Sequence, residues 1–262
     1  MADEDFLAKH ADLLLRRLSP ADRARFLLSL PSSIRQQVDR SLAAPGDVYD
    51  ELAPPPRRVR HPSRRTPTYY RVRVDLADAS PPIWRRLDLS SSLTLDQVHL
   101  VLQAAFTWFG GHLHQFSTGN RREWNAETFL TDCDIEEGDE GTPENQVRLD
   151  QVMTDVGDKL YYTYDFGDDW YHVIKLESTA PRSVDAPPAR VLAGRRVAPP
   201  DDCGGIYGYH DLVDAVSDPE HPDHAEMLDW LGVYGRGPRG YFDPAYVSIE
   251  DLDADVREAL NS

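Results

Sequence analysis

The chain has 262 residues, 40% of them hydrophobic, with 28 Lys and Arg against 45 Asp and Glu and a formal net charge of −17. That apolar share is enough for a core, but no run approaches the roughly 18 apolar residues of a membrane span, which excludes a helical membrane protein. Residues 1–67 hold 12 Lys/Arg and 9 Asp/Glu, leaving 16 and 36 for residues 68–262, a net of −20. A domain that negative repels phosphate backbones, so the main domain is not expected to bind nucleic acid over a broad surface. The start, Met1-Ala2-Asp3-Glu4-Asp5, is acidic where a secretory leader is basic and then apolar, so a cytoplasmic location is expected. Cys133 and Cys203 are too few for a disulfide framework or a thiolate metal cage.

In residues 1–42, Phe6, Leu7, Ala11, Leu14, Leu15 and Leu18 repeat at helical spacing. Ser19-Pro20 reads as an N-cap followed by a first-turn proline. Two or three short helices are expected, too small to bury much surface alone. Residues 43–67 are a linker with Pro45, Pro54, Pro55, Pro56, Pro62 and Pro67, and with Arg57, Arg58, Arg60, Arg64 and Arg65 in its second half. Its composition predicts an extended, unpacked segment. The arginines either tether an anionic partner or lie against the chain's own acidic domain; without aromatics they are a weak nucleic-acid signal.

The main domain is expected over residues 68–260. Tyr70, Val72, Val74 and Leu76 alternate with Tyr69, Arg71, Arg73 and Asp75, predicting a strand. Pro81-Pro82 turns into a second strand, Ile83 to Leu89. Thr94 and Gln97 form a capping box before the apolar face Leu95, Val98, Val101, Leu102, Ala105 and Phe106. Gly110-Gly111 is expected to end that helix, and a strand follows over 112–116. Next come an acidic loop (131–146), a short helix near 149–156, and a hairpin pairing 159–164 with 170–177. A Pro-rich connector (181–200) leads to helices around 210–216, 223–231 and 249–260. The expected fold is α+β, a mostly antiparallel sheet covered by helices, with a small N-terminal helical appendage.

Seven segments in order resemble the plasmid pRiA4b ORF-3-like family. They are Pro81-Pro82-Ile83-Trp84-Arg85-Arg86; His112-Leu113-His114-Gln115-Phe116; Tyr164 to Trp170 followed by His172; Pro199 to Gly205; Gly208-Tyr209; Trp230-Leu231-Gly232; and Phe242-Asp243-Pro244. Where the family usually has Glu-Asp before its Gly-Gly, this chain has Asp201-Asp202. The resemblance implies an α+β domain without an assigned activity. Some members carry resolvase or transposon-passenger labels, which implies a mobile-element setting. Resolvase activity is not supported by the residues. A tyrosine recombinase needs a His-x-x-Arg, and Gln115 stands where that Arg would be. A serine recombinase needs a nucleophilic serine in an N-terminal catalytic domain with basic partners.

The candidate polar cluster is His112, His114, Asp165, Asp168, His172, Asp201 and Asp202. Asp165 and Asp168 flank Gly167 and serve either a cation or the turn's own N–H groups. His172 shares a strand face with Trp170, Ile174 and Leu176 and so points toward the core or its edge. His112 and His114, two apart on the expected strand, have the spacing of a His-x-His metal pair, although Phe116 continues the same face. No metal or cofactor is assigned by these residues alone. Cys203 as a nucleophile would need a depressed pKa. Arg85 and Arg86, on opposite faces, are expected to anchor an ion pair or an anion. The acidic run at 132–140 lacks the glycine and the glutamate of an EF-hand loop. Two readings follow: an interaction or regulatory module with protein partners, or a metal-assisted or acid–base enzyme built on the cluster.

Overall fold

A computed structural model describes residues 60–121, 123, 126–234 and 242–261, with backbone alone at 233 and 234. The helices expected in residues 1–42, and Arg57 and Arg58, lie outside the described residues. The chain divides into two units, Met1–Arg58 with Gly119–Glu127, and Val59–Thr118 with Thr128–Ser262. The fold below is that of the second unit.

Its elements are β1 (Thr68–Leu76), β2 (Ile83–Ser90), α1 (Leu95–Phe106), β3 (His114–Ser117), β4 (Thr128–Leu130), α2 (Asp132–Glu136), β5 (Thr142–Pro143), a 3-10 turn (Glu144–Gln146), α3 (Leu149–Val152), β6 (Lys159–Tyr164), β7 (Trp170–Pro181), β8 (Ala189–Arg195), α4 (Gly205–Ser217), α5 (His224–Tyr234) and α6 (Ile249–Ala259). One eight-stranded sheet runs in the order β5-β4-β3-β6-β7-β1-β2-β8. Every pairing is antiparallel except β4 with β5. The fold is α+β.

Alternation along the strands sets the core. Tyr70, Val72, Val74 and Leu76 of β1, Leu160 and Tyr162 of β6, and Trp170, Ile174 and Leu176 of β7 are all buried. Val98, Val101, Leu102, Ala105 and Phe106 of α1 join them in one cluster, each large apolar side chain contributing about 1.5–3 kcal/mol. Helix α6 packs against β8 and α1 and buries Leu252 and Val256. The other sheet face carries paired charges: Arg71 and Arg190 on Asp88, Arg73 on Asp75, and Arg86 on Glu177 at 2.6 Å.

Several expectations are corrected. Arg85 faces the core between Ile83 and Leu87, but the partners it reaches are carbonyls rather than a carboxylate. Nε donates to Ala105 O at 2.7 Å, and Nη1 to Trp84 O and Arg195 O. Ala105 O belongs to the last turn of α1, where helical carbonyls lack intrahelical donors, so Arg85 completes a helix end. Burial pushes its pKa down to about 10. Arg86 alone makes the expected ion pair. Linker residue Arg64 packs rather than staying free: its backbone N–H donates to Asp150 at 2.9 Å and its guanidinium to Tyr70 Oη at 2.7 Å. The 181–200 connector contains β8, paired with β2, and α4 begins at Gly205, five residues before the expected start.

Helix α1 opens as expected, with the Gln97 side chain accepting the Thr94 N–H at 3.2 Å. It closes differently, on Thr107 in the left-handed region at φ 59 rather than on Gly110-Gly111. Thr107 N–H donates to Ala104 O and Trp108 N–H to Gln103 O, the paired bonds of a Schellman close. That motif favours an apolar residue just past the left-handed position. Trp108 fills the role, buried against Phe106, Tyr164 and Trp170.

Candidate metal centre

Three loops are drawn together by this packing. The first follows α1: Trp108 Nε1 donates to Pro199 O at 2.9 Å, and Phe109 N–H to Asp201 Oδ2 at 3.3 Å. The 107–113 segment is thereby tied to the 199–202 segment. His112 lies at its end, two residues before β3 begins, so it is not on the strand with His114.

The second loop is the β6–β7 turn. Asp165 sits at φ 54 and Asp169 at φ 57, a region in which Asp is better tolerated than most residues. Asp165 Oδ1 accepts Gly167 N–H at 2.9 Å and Asp168 N–H at 3.3 Å, while its own N–H donates to Leu113 O. One carboxylate oxygen thus builds the turn. The other, Oδ2, stands 3.6 Å from His112 Nδ1.

The third loop is 199–205, with Asp202 at φ 59 and Gly204 and Gly205 also left-handed. Gly204 N–H donates to Asp168 Oδ2 at 3.2 Å, and a Cβ on Gly205 would stand 2.6 Å from Asp168 O. Asp168 and the glycines therefore lock the second loop against the third. Asp202, largely exposed, places Oδ1 3.4 Å from His112 Nε2.

The result is that one ligand atom each from His112, Asp165 and Asp202 lies within 4.8 Å of the others. Donors held about 2.0–2.2 Å from one ion are separated by roughly 3–4 Å, so the three would draw in from separations of up to 4.8 Å to share an ion. Beside it lie Tyr164 and Asp201. Tyr164 Oη and Asp201 Oδ1 are buried without a well-formed hydrogen bond, although the hydroxyl faces the Asp201 carboxylate and the Gly111 and His112 N–H groups. Burial, then the Asp201 charge, raises the Tyr164 pKa and keeps the phenol protonated. Burial likewise raises the Asp201 pKa.

The remaining candidates stand apart. His114 Nε2 contacts Glu144 at 3.0 Å in a buried pair, and its ring stacks on His99 at 3.5 Å. His99 Nδ1 pairs with Tyr162 Oη at 2.8 Å, and burial followed by the His114 charge pushes the His99 pKa down to about 3. His172 is fully buried with edge contacts to Phe106 and Trp108. Its Nδ1 donates to Trp170 O at 3.0 Å, and burial pushes its pKa down to about 3. It is a neutral core histidine. Burial, then Asp168, pushes the Cys203 thiol up to about 12, which leaves it protonated and a poor nucleophile. Sequence reading gave Tyr164 no role beyond opening the motif that it begins, and did not single out Glu144. Tyr164 adjoins Asp165 and was the more accessible of the two, whereas Glu144 sits in an acidic stretch with nothing to distinguish it.

Comparison with known proteins gives this arrangement a context. The family model described as plasmid pRiA4b ORF-3-like protein matches residues 68–251. The chain belongs to that family. The uncharacterized protein y4hQ of Sinorhizobium fredii (strain NBRC 101917 / NGR234) is 36% identical over 163 residues, covering 62% of this chain and 80% of y4hQ. A similar fold is found in the crystal structure of MM3350, a protein of unknown function from Methanosarcina mazei Go1. Its TM-score is 0.61 at 28% identity, covering 71% of this chain and 98% of MM3350. His112, Asp165 and Asp202 all lie within the span matched by the pRiA4b ORF-3-like model.

Proposed function

We propose that this domain binds a divalent cation through His112, Asp165 and Asp202 and uses it for metal-assisted chemistry. The observation that carries the reading is the meeting of three donor atoms, from three separate loops, within 4.8 Å. One imidazole and two carboxylates suit a borderline or hard divalent ion such as Mn²⁺, Fe²⁺ or Zn²⁺. Three protein ligands leave coordination positions open, and an ion held so can polarise a bound oxygen. Asp165 fits because Oδ1 is committed to the turn, which fixes Oδ2 toward His112. Tyr164 stands beside the three donors with its hydroxyl facing the Asp201 carboxylate and the Gly111 and His112 N–H groups.

The test is a titration of Mn²⁺ into metal-stripped, full-length protein by calorimetry, with metal analysis of the protein as purified. One ion per chain is expected, with affinity falling at least roughly tenfold in His112→Ala and Asp202→Asn. Absence of binding, or variants that bind Mn²⁺ as tightly as the parent, refutes the reading.

One observation favours a second reading. Each ring nitrogen of His112 faces a different carboxylate, an arrangement suited to general acid–base work without a metal. Activity that survives chelation would select it. A regulatory or protein-interaction role, a mobile-element setting and a cytoplasmic location remain expectations from the sequence and the resemblance. Among the described residues no helix is long and apolar enough to cross a membrane.

A further inference from the structure

The sheet face turned away from α1 carries an arrangement that the candidate metal centre does not use. Lys159 of β6 stands opposite Lys175 of β7, Lys175 opposite Arg73 of β1, and Arg73 opposite Arg86 of β2. Four cations thus form one row across four adjacent strands, about 14 Å long at the usual strand spacing. Lysine is scarce in this chain, yet two of its three lysines face each other here. Like charges directly opposite on neighbouring strands weaken a sheet, so a row laid out for stability alone would alternate in sign. Among the described residues, Asp75 holds Arg73 and Glu177 holds Arg86 through Nε and Nη2, which leaves Nη1 of both arginines without a hydrogen bond. Both lysines are exposed, with no carboxylate of the described residues at ion-pair distance.

Two residues along each strand, on the same face, lies a second row: Tyr161, Val173, Asp75 and Trp84. Period 2 sets it about 6.6 Å from the first. Both of its ends are aromatic and part-exposed, and the Arg73 guanidinium lies over the Trp84 ring at 4.4 Å. Cations in a line beside flat rings suit a single nucleic-acid strand, whose phosphates take positive charge and whose unstacked bases take aromatic or guanidinium faces. A duplex keeps its bases away from such rings, and an acidic peptide gains nothing from them. The acidic surplus elsewhere in the domain does not forbid this, because exposed charges more than about 8 Å apart are largely screened at physiological salt.

We propose that this face binds single-stranded nucleic acid, the backbone along Lys159, Lys175, Arg73 and Arg86 and the bases on Trp84 and Tyr161. The surface shares no residue with the candidate metal centre and is tested without Mn²⁺. The test is fluorescence anisotropy of a labelled thymidylate dodecamer with full-length protein, from about 50 to 200 mM salt; a uridylate dodecamer tells DNA from RNA. Affinity is expected to fall as salt rises, with a log–log slope of about −3 for four neutralised phosphates. In Lys159→Gln/Lys175→Gln the slope should shrink in magnitude by about 1.4, and affinity at low salt should fall roughly tenfold or more. Trp84→Leu should weaken binding about fivefold or more with the slope kept. The lysine variant loses only exposed charges that oppose each other, so its melting temperature should be no lower than the parent's, which separates lost affinity from lost fold. No binding of either dodecamer at low salt overturns the proposal. So does a slope unchanged in the lysine variant, as attachment through the linker arginines would give. A glutamate dodecamer that binds as tightly as the oligonucleotides overturns it in favour of an acidic protein partner.

Discussion

Asp165 is asked to do two things with two oxygens, and two substitutions separate them. In Asp165→Ala, the Gly167 and Asp168 N–H groups lose their shared acceptor. A hydrogen bond to a charged group contributes about 1.5–3 kcal/mol. Here both donors are only part-buried and the second bond is long, so roughly 2–3 kcal/mol for the pair is reasonable. The φ of 54 adds about 1–2 kcal/mol for a residue without a side chain that bonds locally. A loss of roughly 3–5 kcal/mol lowers Tm by about 6–20 °C in a domain of this size. Asp165→Asn keeps a carbonyl acceptor and a residue type tolerant of that φ, so its cost should stay within about 1 kcal/mol, or 2–4 °C. It removes the charge beside His112, however, and Mn²⁺ affinity should fall at least roughly tenfold, about 1.4 kcal/mol. Thermal melts followed by circular dichroism, paired with calorimetric Mn²⁺ titration, check both halves. Asp165→Ala melting within about 2 °C of the parent would refute the turn argument, and undiminished Mn²⁺ binding by Asp165→Asn would refute the ligand assignment.

Gly208→Ala drives a Cβ to 2.0 Å from Cys203 O, a backbone clash expected to cost about 3 kcal/mol or more. Gly232→Ala in α5, where nothing lies within 4 Å, should be neutral or stabilising by up to about 1 kcal/mol; urea unfolding of the two variants measures the contrast. The pKa of His172, pushed down to about 3 in the fold, lies below the roughly 6.5 of an unfolded chain. Its contribution is therefore fully present above pH 6.5 and is lost as pH falls toward 3, because the unfolded state takes the proton first. The stability slope between pH 7 and 5 should be shallower in His172→Phe by up to about 1.4 kcal/mol per pH unit, and identical slopes would refute the burial argument. Arg85→Ala empties a core position and strips donors from Ala105 O, Trp84 O and Arg195 O, so a loss of about 3–5 kcal/mol in urea unfolding is expected.

Periodicity made much of the fold legible. The β1 and β7 alternations and the α1 stripe are local signals, because one buried face imposes period 2 or 3.6 on the residues that meet it. Strand β8 escaped notice because Ala193 and Gly194 give it little apolar contrast and its partner, β2, lies about a hundred residues earlier. Period 2 separates Arg85 from Arg86, but it does not reveal what Arg85 bonds. Its acceptors are the carbonyls of a helix end and two strands, groups present in any sequence and visible in none.

The sequence by itself determined which face of β1, β6 and β7 turns inward, that a tight turn follows Tyr164, and that His172 lies on the apolar face of β7. These follow from neighbours along one chain segment. Only the tertiary structure decided that His112 rather than His114 meets Asp165 and Asp202. That choice depends on the left-handed close of α1 at Thr107, which turns Trp108 into the core and carries His112 clear of β3. It depends equally on a glycine contact, Gly205 against Asp168 O, that presses the third loop onto the second. Such contacts join segments scores of residues apart, and no periodicity within either segment records them.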